Sequence, residues 1–273
     1  MISLKKLPNG FEYIDIKNNS AEAKIALNGA HVFHYKRVGE EPVLWLSEKT
    51  EFEEGTSIRG GIPICWPWFG INEDKNLPAH GFARNSKFKI IKQDEINKDM
   101  SSVTFKLENK EYELSLHVEV GAKLKLELKT TNIDTKPFKI TQAFHTYFNV
   151  SDILHVEIDG LNNKPYLDAL TMKQEKQNGS ITFKEEVDRV YQEVDTTIVL
   201  KDANRTLHVE NFGSSSAVIW NPWIDKCKRM SLAKNDMRED AYKEFVCIES
   251  ANAFDDFIVL EPNESHTLKA IIY

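Results

Sequence analysis

The stretch V-T-F-K-L-E-N-K-E-Y-E-L-S-L-H-V-E-V-G-A-K-L-K-L-E-L, residues 103–128, decides the fold class. Val103, Phe105 and Leu107 alternate with polar residues. So do Leu114, Leu116, Val118 and Val120, and then Leu124, Leu126 and Leu128. Period two with one polar face predicts an antiparallel sheet, turned at Gly121-Ala122. Working outward, the same pattern predicts strands at Tyr13–Ile16, Ala23–Leu27, His31–Tyr35 and Val43–Trp45, with Asn-Gly turns at Asn9-Gly10 and Asn28-Gly29. Downstream it predicts a strand through Leu154, Val156 and Ile158 up to Gly160. Further strands follow at Ser180–Phe183, Thr197–Leu200, Thr206–Glu210, Ala217–Trp220 and Thr267–Ile272. Two short helices are expected, at Pro165–Ala169 and Trp223–Leu232. With no repeat and no linker, residues 1–273 read as one all-β domain, mostly antiparallel, of two stacked sheets.

Composition narrows the function classes. A net charge of -7 with no basic block argues against nucleic acid as a partner. Arginine is scarce, with seven residues at 37, 59, 84, 189, 205, 229 and 238, so an Arg inside a motif answers a need for its planar fork. The N-terminus lacks an apolar signal core, and the longest apolar stretch, Ile62–Ile71, holds two prolines and is too short to span a bilayer. No membrane association is expected. Cys65, Cys227 and Cys247 are odd in number and lack metal-ligand spacing, which fits reduced thiols in the cytoplasm. No metal site and no cofactor motif is found, neither H-E-x-x-H nor a phosphate-cradling Gly-rich loop.

Chemistry concentrates in a few stretches. T-Q-A-F-H-T-Y-F-N-V, residues 141–150, reads as a strand with Phe144, Thr146 and Phe148 on one face and Ala143, His145 and Tyr147 on the other. F-V-C-I-E, residues 245–249, ends an apolar run on a carboxylate, where Glu is rare unless something pairs with it or uses it. His145 and Glu249 together are the acid and base that a reversible proton transfer requires. The plain alternative for His145 is a satisfied structural histidine. His117, His155 and His208 fall on polar strand faces, and His31 and His34 lie in a short N-terminal run, as surface histidines would.

R-G-G-I-P-I-C-W-P-W-F-G, residues 59–70, is too rich in Gly and Pro for a helix and too aromatic for a linker, so it reads as an ordered, half-buried loop. His80 lies in L-P-A-H-G-F-A-R-N, residues 77–85, fixed between Pro and Gly; it is either functional or a turn residue. Arg59 and Arg84 flank this segment. Either they salt-bridge to the acidic surface, or they form an anion clamp, since guanidinium matches phosphate bidentately. Asp188 in V-D-R-V-Y reads most simply as a partner of Arg189. Trp66, Trp68, Trp220 and Trp223 are core residues or sugar platforms, with core favoured for most, and Cys65 reads as buried.

These motifs resemble those of a known family. F-H-T-Y-F-N is similar to the catalytic strand of aldose 1-epimerases. R-G-G-I-P-I-C-W-P-W-F-G, H-G-F-A-R and V-C-I-E together resemble its hexose-6-phosphate branch. The match runs in order from about Gly29 to the C-terminus. It implies a galactose-mutarotase-like β-supersandwich with the site on its concave face. It also implies that His145 is the general acid, that Glu249 is the base, and that Arg59, His80, Arg84 and Asp188 bind substrate. His80 is followed by Gly81-Phe82 rather than by two glycines, which favours a phosphorylated sugar; some relatives carry Gln where Ala79 stands here. The implied activity is interconversion of the α and β anomers of an aldohexose 6-phosphate, foremost glucose 6-phosphate, by a monomer without cofactor. A non-catalytic sugar or sugar-phosphate binding protein on the same fold is the alternative. A glycoside hydrolase would need two carboxylates flanking the bond.

Overall fold

A computed structural model describes residues 1–203 and 205–273. Two eight-stranded sheets and a four-stranded one make up most of it, and every pairing between named strands is antiparallel. The first eight-stranded sheet is a meander. Lys89–Asn97, Met100–Glu108, Tyr112–Val120 and Leu124–Asn132 follow one another, then Ser265–Ile272, Arg205–Phe212, Ile198–Asp202 and Glu157–Asp159. Its alternating leucines and valines are the buried face, as expected. The second, here called the central sheet, runs Lys173–Lys176, Pro165–Asp168, Val187–Tyr191, Ser216–Asn221, Phe245–Asn252, Gln142–Phe144 and Ile64–Cys65. Tyr147–Asn149 also pairs with Phe245–Asn252. The core between the sheets joins Ile14 and Ile25 to Leu116, Phe144, Ile248 and Ile272. The N-terminal strands Ile2–Lys6, Glu12–Lys17, Ala21–Ala26 and Val32–Arg37 form the four-stranded sheet, which packs into that same core.

The helix Trp223–Met230 forms where expected, with the Asn221 carboxamide oxygen accepting the Trp223 amide at 2.9 Å. Pro165–Asp168 is instead a strand between Lys173–Lys176 and Val187–Tyr191; sheet pairing overrides its local helical look. Leu154 belongs to a 3₁₀ turn, Ile153–His155, and is 62% exposed, so the strand begins only at Glu157. Val43–Trp45 and Ser180–Phe183 contribute single bridges, through Leu44 and Ile181, rather than strands.

The segment 59–70 is far more buried than a half-buried loop. Gly60 through Trp66 are buried, and Ile64–Cys65 is an edge strand of the central sheet. Gly81 shows how tightly the neighbouring loop sits on it. At φ +70°, a Cβ there would meet the Trp66 carbonyl oxygen at 1.9 Å, so no other residue fits. His31 is not a surface residue; it is fully buried, and its Nε2 donates to the Gly60 carbonyl at 2.8 Å. Trp66 is core, with Nε1 donating to Thr130 Oγ1 at 3.0 Å.

Candidate active site

The residues 141–150 form not one strand but two, Gln142–Phe144 and Tyr147–Asn149, with a break at His145-Thr146. The Thr146 amide turns back to the Phe144 carbonyl at 2.9 Å, while the His145 amide leaves the ladder for the Pro63 carbonyl at 3.0 Å. The register is the same on both sides of the break: Phe144 faces Ser250 and Tyr147 faces Cys247. His145 therefore stands opposite Glu249, and both side chains rise from one face. The expected division of faces holds. Phe144 and Phe148 enter the inter-sheet core, whereas Ala143 and Tyr147 join Trp220, Phe245 and Cys247 on the other side.

That second face floors a cleft of about 220 Å³ in which Arg59, His80, His145, Asp188 and Glu249 meet. Roomier hollows exist elsewhere, such as one of about 450 Å³ beside Asn149 and Arg205, but no imidazole lines it. His145 Nε2 lies 3.3 Å from Glu249 Oε1. Glu249 is 1% exposed, and its Oε2 and His145 Nδ1 are buried without a protein partner. Burial, then the charge of Asp188, pushes the Glu249 carboxyl well above its usual range, against the pull of Arg84. Burial, then His80, Arg59 and Arg84, pushes His145 well below that of a free imidazole. Burial thus works against the charged form of both groups, the carboxylate and the imidazolium.

The surroundings fix the imidazole. Its ring stacks on Tyr147 at 4.8 Å and 10°, and meets His80 and Trp220 edge-on, each at 5.8 Å. Tyr147 in turn accepts from Arg59 Nη1 at 2.9 Å, and Arg59 Nη2 pairs with Asp236 Oδ2 at 3.0 Å. His80 sits at φ +63°, and its Nδ1 accepts the Gly70 amide at 3.3 Å. Burial and the two arginines lower its pKa to about 3, so the ring is neutral and Nε2 carries the proton.

Arg84 does not line the cleft. Its Nη2 donates to the Ala79 carbonyl at 2.8 Å and its buried Nε has no partner, while its charge still acts on His80, His145 and Glu249. Asp188 does not pair with Arg189. Neighbours on a strand face opposite ways, and Arg189 reaches Gln177 and stacks over Tyr166, while Asp188 meets Lys226 at 3.4 Å. Lys226, Met230 and Phe69 also line the cleft. Sequence reasoning missed them; only the Lys at the centre of a predicted helix beside W-N-P-W hinted at the first. Of the tryptophans, Trp220 is the one on the cleft wall. Cys65 is buried, as expected. Among the described residues no cluster of His, Cys, Asp or Glu is arranged to hold a metal ion, and no helix is long and apolar enough to cross a membrane.

Three comparisons bear on this geometry. The family model described as aldose 1-epimerase matches residues 12–273. An inferred glucose-6-phosphate 1-epimerase of Escherichia coli K12 is 35% identical over 284 residues, covering 99% of this chain and 93% of that protein. The crystal structure of an inferred mutarotase from Salmonella typhimurium superposes with a TM-score of 0.90 at 34% identity, covering 99% of this chain and 92% of the other. A galactose mutarotase-like protein of Clostridium acetobutylicum, at 18% identity and TM-score 0.72 over 100% of this chain and 98% of its own, shares the fold.

Proposed function

The chain belongs to the aldose 1-epimerase family, and from that premise we propose that it interconverts the α and β anomers of aldohexose 6-phosphates, glucose 6-phosphate foremost. The observation that carries the reading is the buried pair itself: His145 Nε2 and Glu249 Oε1, 3.3 Å apart on the floor of the cleft. Mutarotation needs a base for the C1 hydroxyl and an acid for the ring oxygen. The ring opens, the aldehyde rotates about C1–C2, and closure on its other face gives the other anomer. Glu249 serves as the base and His145 as the acid, exchanging roles on closure. A non-catalytic sugar binder has no use for such a pair.

Burial raises the pKa of the Glu249 carboxyl and lowers that of the His145 imidazole, so it disfavours the carboxylate–imidazolium form that starts the reaction. Arg59 and Arg84 oppose the imidazolium. A substrate phosphate against Arg59 offsets this positive charge and favours the imidazolium, which supports a phosphorylated rather than a neutral sugar. His80 offers Nε2–H to a sugar oxygen, and Asp188 accepts from ring hydroxyls. The reaction asks for no cofactor, since no electron moves. Residues 1–273 act as one catalytic domain, a reading supported by the core running from Ile14 to Ile272. The acidic balance and the three free cysteines favour a cytoplasmic monomer that binds no nucleic acid.

NMR exchange spectroscopy on α and β glucose 6-phosphate tests the reading. Exchange cross-peaks should grow in proportion to added protein. Exchange at the buffer rate would overturn it.

A further inference from the structure

The cleft floor is ordered in rows across the strands. Pairing sets Asp188 beside Trp220, Trp220 beside Cys247, and Cys247 beside Tyr147. Asp188 and Tyr147 are thus three strands apart, ~14 Å at the usual spacing. Arg59 marks the Tyr147 end through its 2.9 Å hydrogen bond. Lys226 marks the other: its Nζ is 2.8 Å from Glu186 Oε1 and 3.4 Å from Asp188 Oδ2, and lies 5.6 Å from the centre of the Trp220 ring. A cation in a sugar-phosphate cleft invites the role of phosphate ligand, but the charges speak against it. One ammonium faces two carboxylates here, which leaves this end negative. At the other end Arg59 faces the single carboxylate of Asp236.

We infer that Lys226 is a positioning residue, which holds the Asp188 carboxylate against the ring hydroxyls of the sugar at the end of the cleft remote from the phosphate. The inference rests on the function proposed above. Asp188 needs such a holder. It is half-buried, which raises its pKa, and the Lys226 ammonium beside it is the leading influence against that rise. The helix Trp223–Met230 delivers Lys226 to this point, anchored at its start by Asn221. Glu186 supplies the second arm, so the ammonium is fixed between two acceptors rather than free to follow the substrate's phosphate.

The test measures affinity and turnover for glucose 6-phosphate and glucose in wild type, Lys226→Ala and Lys226→Arg. Lys226→Ala should weaken affinity for both sugars by the same factor, about tenfold, the scale of one charged hydrogen bond. Turnover at saturation should fall much less, and Lys226→Arg should restore most of the affinity. A merely structural role would not split affinity from turnover in this way. A loss confined to glucose 6-phosphate would make Lys226 a phosphate ligand and overturn the inference, as would unchanged affinity for both sugars. If wild type binds hexoses without accelerating exchange, the proposed reaction fails, while the affinities still decide the role of Lys226. If wild type binds neither sugar, both fall.

Discussion

The two eight-stranded sheets are built on opposite terms. In the meander, Met100–Glu108, Tyr112–Val120 and Leu124–Asn132 are nine residues each, and the last two alternate buried leucine, valine or threonine with half-buried polar residues almost throughout. In the central sheet, Phe245–Asn252 and Ser216–Asn221 are buried at every position, and the strands on the far side of Phe245–Asn252, away from Ser216–Asn221, shrink to two or three residues. One sheet has a dry face and a wet face. The other has a dry face against the core and a second face against the cleft, where Glu249 and His145 are buried. Regularity is kept where only packing is at stake and is given up around the buried His145–Glu249 pair.

Breaking each sheet in turn should separate the two roles. The largest effect is expected on the cleft face: Glu249→Gln or His145→Ala should slow anomer exchange by about 10²–10⁴-fold, the usual worth of a general acid or base. The double variant should be little worse than the poorer single one, because the pair acts as a unit. Urea midpoints should barely move, since neither change opens the inter-sheet core. Near-wild-type exchange in either single variant would remove the role assignment.

Leu116→Ala in the meander should do the converse. Truncating this fully buried side chain should cost about 2–5 kcal/mol of stability, read from urea unfolding, while exchange per folded molecule stays intact. Lost activity in the folded fraction would show that the sheets are less separable than drawn.

A smaller effect sharpens the contrast within the cleft. Arg59→Lys keeps charge but loses the fork, so kcat/KM for glucose 6-phosphate should fall by about 1–3 kcal/mol of transition-state binding. The slow reaction with glucose should change little. Equal losses on both sugars would make Arg59 a ring or fold residue.

The smallest effect concerns pH. Burial lowers the pKa of His31 from 6.5 to about 4. Below pH ~6.5 the unfolded chain takes a proton that the folded chain refuses, so stability falls as pH drops from there towards 4. The slope is at most about 1.4 kcal/mol per pH unit for one such group. His31→Gln should flatten this limb by about one proton, while His80 and His145, also depressed, keep part of it. An unchanged slope would mean that His31 does not titrate with unfolding.

The meander was legible because its signal is local: Val103 to Leu128 repeats one rule with no conflicting demand. The pair was legible for a related reason, since a Glu closing F-V-C-I-E and a His amid aromatics break that rule conspicuously. The break at His145-Thr146 was not legible. It depends on the Pro63 carbonyl, supplied by a chain segment more than eighty residues earlier. Likewise Pro165–Asp168 became a strand only because Val187–Tyr191 offers it a partner, and Asp188 met Lys226 rather than Arg189 because a helix closes over that end of the sheet. His31 looked like a surface residue until the Gly60 carbonyl gave it a reason to be buried.

The register that sets His145 against Glu249 also has a consequence in time. The two residues are 104 positions apart (249 − 145), so their meeting closes a long loop, an entropically costly and slow event in folding. A slip of one residue in the strand that carries Glu249 would turn that carboxyl towards the core while His145 stayed on the cleft face. Local meander strands form early by comparison. In refolding, the circular-dichroism signal of the local hairpins should therefore return first, and anomer exchange should lag behind it, appearing only in chains in which this long-range pairing has found its correct alignment.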